Sequence, residues 1–365
     1  MSLDLIKEGS IRFYASLGDI SKKLEVFYNP KMKLNRDITI LLLKVINRDN
    51  LKIGLPLSGS GVRGIRILKE LCNKVDKVLF NDINPYAYKA IKKNIEINKV
   101  DISKTEVYNK DASLFLLEKK YFDYIDIDPF GSPNPYLDAS VKSINKNGII
   151  AVTATDLAPL SGRYIDTCIR KYWAKPLKCY LKHEIGLRIL IRKVQLIGLQ
   201  YEKALIPILS YFKDHYYRIF FLVKHGKEEC NDIISKYGYI CFKNDLEFEV
   251  CNERISERYA GPLWLGPIKD HNLIEKMIKE LEDINENKEL REFLLILSEE
   301  LSIVGYYSLH EIAKKFKINT PKRDKIINLI REKYNIECSR THFNYESIKT
   351  KLPLKNVIEE IKKLA

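Results

Sequence analysis

Between positions 52 and 155 the chain alternates five short apolar runs with helix-forming stretches, and this alternation excludes most architectures. The apolar runs lie at about 52–57, 77–80, 106–108, 124–127 and 148–155. Helical spacing or capping signals fill the intervals at about 62–71, 84–98, 112–117 and 136–143, with Asn84 as an N-cap ahead of Pro85. Short strands separated by single helices cannot pair as hairpins. They require right-handed crossovers and a doubly wound parallel sheet of the α/β class. Two more helices, at about 164–172 and 183–199, lead to apolar runs at 204–212 and 216–223 joined only by Lys213-Asp214-His215. That short joint makes the last two strands an antiparallel hairpin ending the sheet.

In such a sheet ligands gather at the carboxyl ends of the strands, so the residues there carry the functional information. After the first strand comes Ser58-Gly59-Ser60-Gly61-Val62-Arg63-Gly64-Ile65, a glycine-rich turn opening a helix, where backbone amides can approach a ligand. The second strand ends at Asn81-Asp82, about twenty residues on, where an acid can hold ribose hydroxyls. Loop and acid together point to a nucleoside. Asp111-Ala112 follows the third strand, with Asp111 placed to meet the polar edge of a bound base. The fourth strand stops at Asp128-Pro129-Phe130-Gly131-Ser132-Pro133. Proline ends the ladder there, leaving an acid beside an aromatic ring: either an ordinary Asp-Pro turn or a grip for a flat polar ring. Upstream, Val26-Phe27-Tyr28-Asn29-Pro30 is an aromatic pair ending in a turn. Asn35 is the expected N-cap of a helix over about 36–47. Arg36 would then oppose the positive end of that helix, a conflict that an anionic ligand would remove; a snorkelling surface arginine fits the sequence equally well.

The chain has 365 residues, enough for a full core and a second domain, and carries 62 Lys+Arg against 48 Asp+Glu, a formal charge of +14. That excess favours a polyanionic partner, although a lysine-rich solvated surface would give the same number. No apolar run is long enough to span a bilayer, and Met1-Ser2-Leu3-Asp4 does not open a signal peptide, so a cytoplasmic location is expected. Seven scattered cysteines argue against a disulfide framework.

The motifs together resemble one family. Asp128-Pro129-Phe130-Gly131-Ser132-Pro133, followed by Val152-Thr153-Ala154-Thr155-Asp156, is similar to the archaeal and eukaryotic tRNA (guanine-26) N2-dimethyltransferases. Phe27-Tyr28-Asn29-Pro30, Leu34-Asn35-Arg36-Asp37, Gly61-Val62-Arg63-Gly64-Ile65-Arg66 and Asn81-Asp82-Ile83 extend the match. So do Lys213-Asp214-His215-Tyr216, Gly261-Pro262-Leu263-Trp264-Leu265-Gly266-Pro267 and Arg340-Thr341-His342-Phe343, all in the family's order. Five parallel strands closed by a hairpin are also the usual form of adenosylmethionine-dependent methyltransferases. The resemblance implies S-adenosyl-L-methionine as cofactor, bound by Arg36, Arg63, Asp82, Asp111 and Ala112, and tRNA as substrate. It places the catalytic acid on Asp128, a second amine contact on the Pro129 carbonyl, and a base-stacking pair on Phe27 and Phe130. No feature calls for a protein partner.

Many members of that family carry paired Cys-x2-Cys elements, where this chain reads Cys241-Phe242-Lys243-Asn244 and Cys251-Asn252-Glu253-Arg254. Two thiolates do not close a structural zinc site, so no metal is expected, and strands at about 237–242 and 246–250 should hold the region instead. Beyond it, short helices at about 308–316 and 321–333 and a hairpin over 340–350 suggest a winged helix offering Lys322, Arg323, Lys325 and Arg331 to tRNA. A helical bundle with solvated lysines is the alternative. The expected division is a methyltransferase domain over 1–225, a connecting β region over 226–268 and a carboxyl-terminal tRNA-binding domain over 269–365. Competing readings are methylation of another exocyclic amine in RNA, a non-catalytic RNA-binding protein, and a nicotinamide oxidoreductase, which would share the glycine loop and Asp82.

Overall fold

A computed structural model describes residues 3–18, 24–282 and 288–364; Met1 and Ser2 lie outside them. The chain opens with an antiparallel hairpin, β1 (Asp4–Glu8) and β2 (Ile11–Ala15), for which the sequence offered no clear period. Helix α1 (Lys33–Val45) follows a 3-10 turn at Pro30–Met32. Here the structure corrects an expectation. Asn29, not Asn35, is the capping side chain, accepting from the Lys31 amide at 3.0 Å, and the turn runs directly into α1. The helix therefore begins earlier, and Asn35 is buried in its first turn.

The alternating region then folds as β3 (Leu51–Leu55), α2 (Val62–Glu70), β4 (Val75–Asn81), α3 (Pro85–Ile97), β5 (Thr105–Tyr108), α4 (Ala112–Lys119) and β6 (Phe122–Ile127). It continues with α5 (Asn134–Ser143), β7 (Ile144–Ala154), the short α6 (Leu157–Leu160), α7 (Ile165–Tyr172) and α8 (Lys182–Leu199). Strands β8 (Lys203–Lys213) and β9 (Tyr216–His225) form the expected hairpin. The sheet has the order β5-β4-β3-β6-β7-β9-β8, with the first five strands parallel and β9 antiparallel to β7. Because β4 lies on one side of β3 and β6 on the other, the chain reverses direction across the sheet there, opening a crevice at the strand tips. Glycine is needed at one packing point: a Cβ on Gly64 would lie 2.2 Å from the Phe80 ring, so α2 can approach β4 only without one.

Beyond α9 (Lys227–Ser235), a small sheet of β10 (Tyr237–Phe242), β11 (Phe248–Cys251) and β12 (Tyr259–Trp264) has the order β11-β10-β12. The first two strands are those expected from sequence; β12 adds the Gly-Pro-Leu-Trp segment. Helices α10 (His271–Glu282) and α11 (Lys288–Glu299) pack on α1 and share the main core through Ile274, Met277 and Leu294. The remainder has its own core, including Leu309, Ile326, Ile348 and Ile361. It comprises β13 (Tyr307–Ser308), α12 (Leu309–Phe316), α13 (Arg323–Tyr334), β14 (Cys338–Arg340), β15 (Ser347–Thr350) and α14 (Leu354–Leu364). Its sheet order β13-β15-β14, with two helices between the first and second strands, is winged-helix connectivity rather than a plain bundle. Two of the four cations expected to be available there are committed internally: Arg331 donates to the Cys338 carbonyl at 2.9 Å and Arg323 to that of Tyr345 at 3.0 Å.

Candidate active site

A cavity of about 700 Å³ opens at the tips of β3, β4, β6 and β7, and Phe27, Arg36, Arg63, Asp82, Asp128, Pro129 and Phe130 all line it. Asp111 and Ala112 stand at the start of α4. Asp111 caps that helix, accepting from the Ser113 and Leu114 amides at 2.9 and 3.0 Å. Neither Asp111 nor Ala112 is among the residues that line the cavity; Tyr136, which does line it, has its hydroxyl raised above the ordinary range by burial and by the charges of Asp111 and Asp82.

The glycine loop and Asp82 are built as one unit. Gly59 and Gly61 adopt φ of +54° and +78°, conformations that a side chain would strain. The Gly59 amide donates to Asp82 Oδ2 at 2.7 Å and the Asn84 amide to Oδ1 at 3.0 Å. Burial raises the Asp82 carboxyl, with those two amides opposing the shift. The Ser60 amide donates to the Phe27 carbonyl at 3.1 Å, so the same loop that shapes the cavity also fixes Phe27.

Across the cavity, the Asp128 segment is tied to the end of β7. The Gly131 amide donates to Thr155 Oγ1 at 2.7 Å and the Thr155 amide to the Gly131 carbonyl at 2.9 Å. These bonds hold Phe130 against Phe27, edge to face, with ring centroids 4.3 Å apart.

Arg36 is anchored differently from the sequence argument. It lies within α1 rather than at its start, and its guanidinium forks onto Glu8, at 2.7 Å (Nε to Oε1) and 2.5 Å (Nη2 to Oε2). The conflict inferred for this cation is thus already relieved inside the protein. Glu8 also accepts from Arg66 at 2.9 Å and from the Tyr28 hydroxyl at 2.9 Å. Burial would raise the Glu8 carboxyl, but Arg36 and Arg66 outweigh it and bring it down to about 2.

Beneath Asp128 lies a buried polar network not anticipated from sequence. Arg63 Nη2 donates to Asp128 Oδ2 at 2.5 Å, while Nη1 donates to Asn35 Oδ1 at 2.9 Å and Thr39 Oγ1 at 2.8 Å. Its guanidinium is also 3.5 Å from Asp126. Arg218, fully buried in β9, grips Asp126 with bonds of 2.9 and 2.7 Å. Tyr124 adds its hydroxyl to Asp126 at 2.5 Å. Burial would raise Asp126, yet Arg218 and then Arg63 hold it below the ordinary carboxylate range. A signal did exist: Asp126 and Arg218 are opposite charges in apolar strands, where an unpaired charge is not tolerated. His215, from the joint between β8 and β9, also reaches the cavity wall.

Comparison with known proteins decides the family. A family model described as N2,N2-dimethylguanosine tRNA methyltransferase matches residues 6–362. The chain belongs to this family. It is 38% identical to the tRNA (guanine(26)-N(2))-dimethyltransferase of Pyrococcus horikoshii, with 100% of both chains covered. It is 37% identical to that of Methanocaldococcus jannaschii, covering 98% of each. A relative in Aquifex aeolicus, named for guanines 26 and 27, is 36% identical, covering 94% of this chain and 92% of that one. The solved complex of Pyrococcus horikoshii Trm1 with S-adenosyl-L-methionine superposes with a TM-score of 0.91 at 36% identity, covering 98% of this chain and 100% of that one. Among the described residues no group of three or more His, Cys, Asp or Glu side chains is arranged to hold a metal, and no helix is long and apolar enough to cross a membrane.

Proposed function

We infer that this protein transfers methyl groups from S-adenosyl-L-methionine to the exocyclic N2 amine of guanine 26 in tRNA, giving N2-methyl- and N2,N2-dimethylguanosine. The observation that carries the reading is one cavity holding both the glycine-loop and Asp82 unit and the Asp128-Pro129-Phe130 tip. The cavity fits the cofactor: its volume is within the ordinary range for cofactor pockets, and its walls hold the Asp82 carboxylate beside the glycine loop and the guanidiniums of Arg36 and Arg63, each already paired with a carboxylate of the protein. Arg36, Arg63, Asp82, Asp111 and Ala112 are the residues proposed to hold it. The cofactor supplies an electrophilic methyl group on sulfur.

The protein's own work is positioning. The guanine amine is a weak nucleophile because its lone pair is delocalised into the ring. Asp128 accepts a hydrogen bond from that amine, orients the lone pair and takes the released proton; the Pro129 carbonyl accepts from the second hydrogen. A base inside folded RNA must be extruded to reach this site, and Phe27 and Phe130 replace its lost stacking. The two rings now touch, so they must part. An edge-to-face pair is worth only about 0.5–1.5 kcal/mol beyond its buried area, less than stacking a base returns. We assign the activity to the cytoplasm on the strength of the tRNA substrate.

The test is incubation of the protein with methyl-labelled cofactor and an unmodified tRNA transcript, followed by nucleoside analysis. Label in N2-methyl- and N2,N2-dimethylguanosine, lost when guanosine 26 is replaced, is expected. Label in adenosine or cytidine would overturn the choice of guanine. Additional label at guanosine 27 would give this chain the double site in the Aquifex relative's name.

A further inference from the structure

We propose that the exposed face of α7, continuing across β12, is a docking surface for the tRNA backbone and for bases beside the extruded guanine. The proposal rests on tRNA being the substrate. Helix α7 presents an unpartnered apolar stripe: Tyr164, Ile165, Ile169 and Trp173 are each between 41% and 52% exposed. The last three follow one another at four-residue intervals, which puts them along one side of the helix and its cap.

The helix that carries this stripe is tied to the loop at the cavity's edge. The Tyr172 hydroxyl bonds Ser132 Oγ at 3.0 Å and Asp156 Oδ2 at 3.1 Å. Asn134 donates to the Lys171 carbonyl at 2.8 Å. The last turn of α7 is therefore bolted to the loop that carries Pro129 and Phe130, and Trp173 follows directly after that turn.

Charge identifies the occupant. Within residues 161–181, Arg163, Arg170, Lys171, Lys175 and Lys178 stand against a single acid, Asp166. Lys171 is paired with Asp156 at 3.0 Å, but Arg163, Arg170, Lys175 and Lys178 outnumber Asp166, and a nucleic acid uses both features of this face: cations for phosphates, rings for unstacked bases. The rings are held ready. Lys193 Nζ sits 2.9 Å from the centroid of the Trp173 ring, and Arg192 donates to the Trp173 carbonyl at 3.2 Å. The pattern continues onto the small sheet, where Lys175, bridged to Gly261, lies 4.2 Å from the Tyr259 ring and Arg254 lies 4.6 Å from it. Interleaved cations and aromatic rings leading away from an extrusion site form a nucleic-acid track.

The experiment measures binding of a labelled, unmodified tRNA transcript to the full-length protein over a range of salt, alongside cofactor affinity. Tyr164→Ala and Trp173→Ala should each weaken tRNA binding roughly fivefold or more, the lower end of what a base-stacking ring contributes. Cofactor affinity should be unchanged. Arg170→Glu alters an exposed side chain held by a 3.3 Å bond to Thr167, so it tests the surface without disturbing the core. It should lower the slope of affinity against salt by about one phosphate contact. Wild-type tRNA affinity and salt slope in all three variants would overturn the surface and leave the methyltransferase reading standing. A wild-type protein that bound no tRNA would overturn both. If instead the variants abolished self-association seen by sedimentation, the face would belong to a second copy of the chain, and the proposal would fall.

Discussion

Replacing Arg218 with methionine tests whether the network beneath Asp128 is balanced as its distances suggest. In the native protein Asp126 is buried and accepts two bonds from Arg218, of 2.9 and 2.7 Å, with Arg63 3.5 Å away but already bonded to Asp128. Arg218→Met removes the closer cation and leaves a carboxylate with the Tyr124 hydroxyl and a shared guanidinium. Removing one partner of a buried pair costs about 3–5 kcal/mol, because the remaining charge has lost its compensation. Removing both is far milder, so Asp126→Asn combined with Arg218→Met should recover at least about 2 kcal/mol relative to the single variant. The sign of the pH effect follows. Native Asp126 has a depressed pKa, so its contribution is full above the unfolded value, roughly 3.9, and disappears only in stronger acid. In Arg218→Met the dominant lowering partner is gone and burial raises the carboxyl instead. The variant's deficit is then largest at neutral pH and shrinks as pH falls through that raised value. Urea unfolding monitored by tryptophan fluorescence at pH 7 and pH 5 measures all three quantities. A single variant within about 1 kcal/mol of wild type, or a double variant no more stable than the single, would refute the reasoning.

Asp128→Ala should reduce methyl transfer at least about a hundredfold while cofactor affinity is retained; parallel loss of both would reassign Asp128 to cofactor binding or folding. Asp82→Ala should show the opposite bias, weakening cofactor binding about tenfold or more, as expected for losing hydrogen bonds to a charged group; isothermal titration showing unaltered affinity would remove its ribose role. Glu8, held at about 2 against an ordinary 4.5, should contribute on the order of 3 kcal/mol that is present above pH 4.5 and lost as pH falls toward 2. Glu8→Gln should flatten the stability profile over that window, and a profile parallel to wild type would count against the Arg36–Glu8–Arg66 balance.

The parallel sheet was legible because each strand and helix declares itself within a dozen residues, through period, cap or proline. The placement of the candidate residues at strand tips was legible for the same reason: the break after Ile127 and the glycines after Leu57 mark where the strands stop. What escaped was set by distant partners. Asn35 has the composition of a cap, but Pro30 and Asn29 start the helical path earlier, so its amide serves Arg63 instead. Arg36 has no readable partner until β1 brings Glu8 beside it, 28 positions back along the chain. Arg218 and Asp126 are 92 residues apart and meet only because β9 and β6 lie either side of β7. Neither strand alone reveals that its charge is answered.

That pairing bears on the amine-orienting role proposed for Asp128. The cavity lining holds Arg63, Asp126 and Asp128, and Arg218 lies buried beneath them, so that two guanidiniums and two carboxylates sum to zero. Arg218 is spent on Asp126 by a two-point grip, so the charge of Arg63 falls chiefly to Asp128, at 2.5 Å against 3.5 Å for Asp126. Asn35 and Thr39 hold the other end of the same guanidinium, which fixes its plane and therefore the carboxylate it meets. The bond uses Oδ2; Oδ1 has no hydrogen bond among the described residues and belongs to a side chain on the cavity wall. A carboxylate oriented by a guanidinium, with one oxygen uncommitted, can accept from an amine hydrogen, and an unpaired acid in the same place would not be oriented. The order of the strands thus supports the proposed chemistry: β6 brings the acid, α2 brings its cation, and β9, two strands over, keeps that cation from being claimed by Asp126.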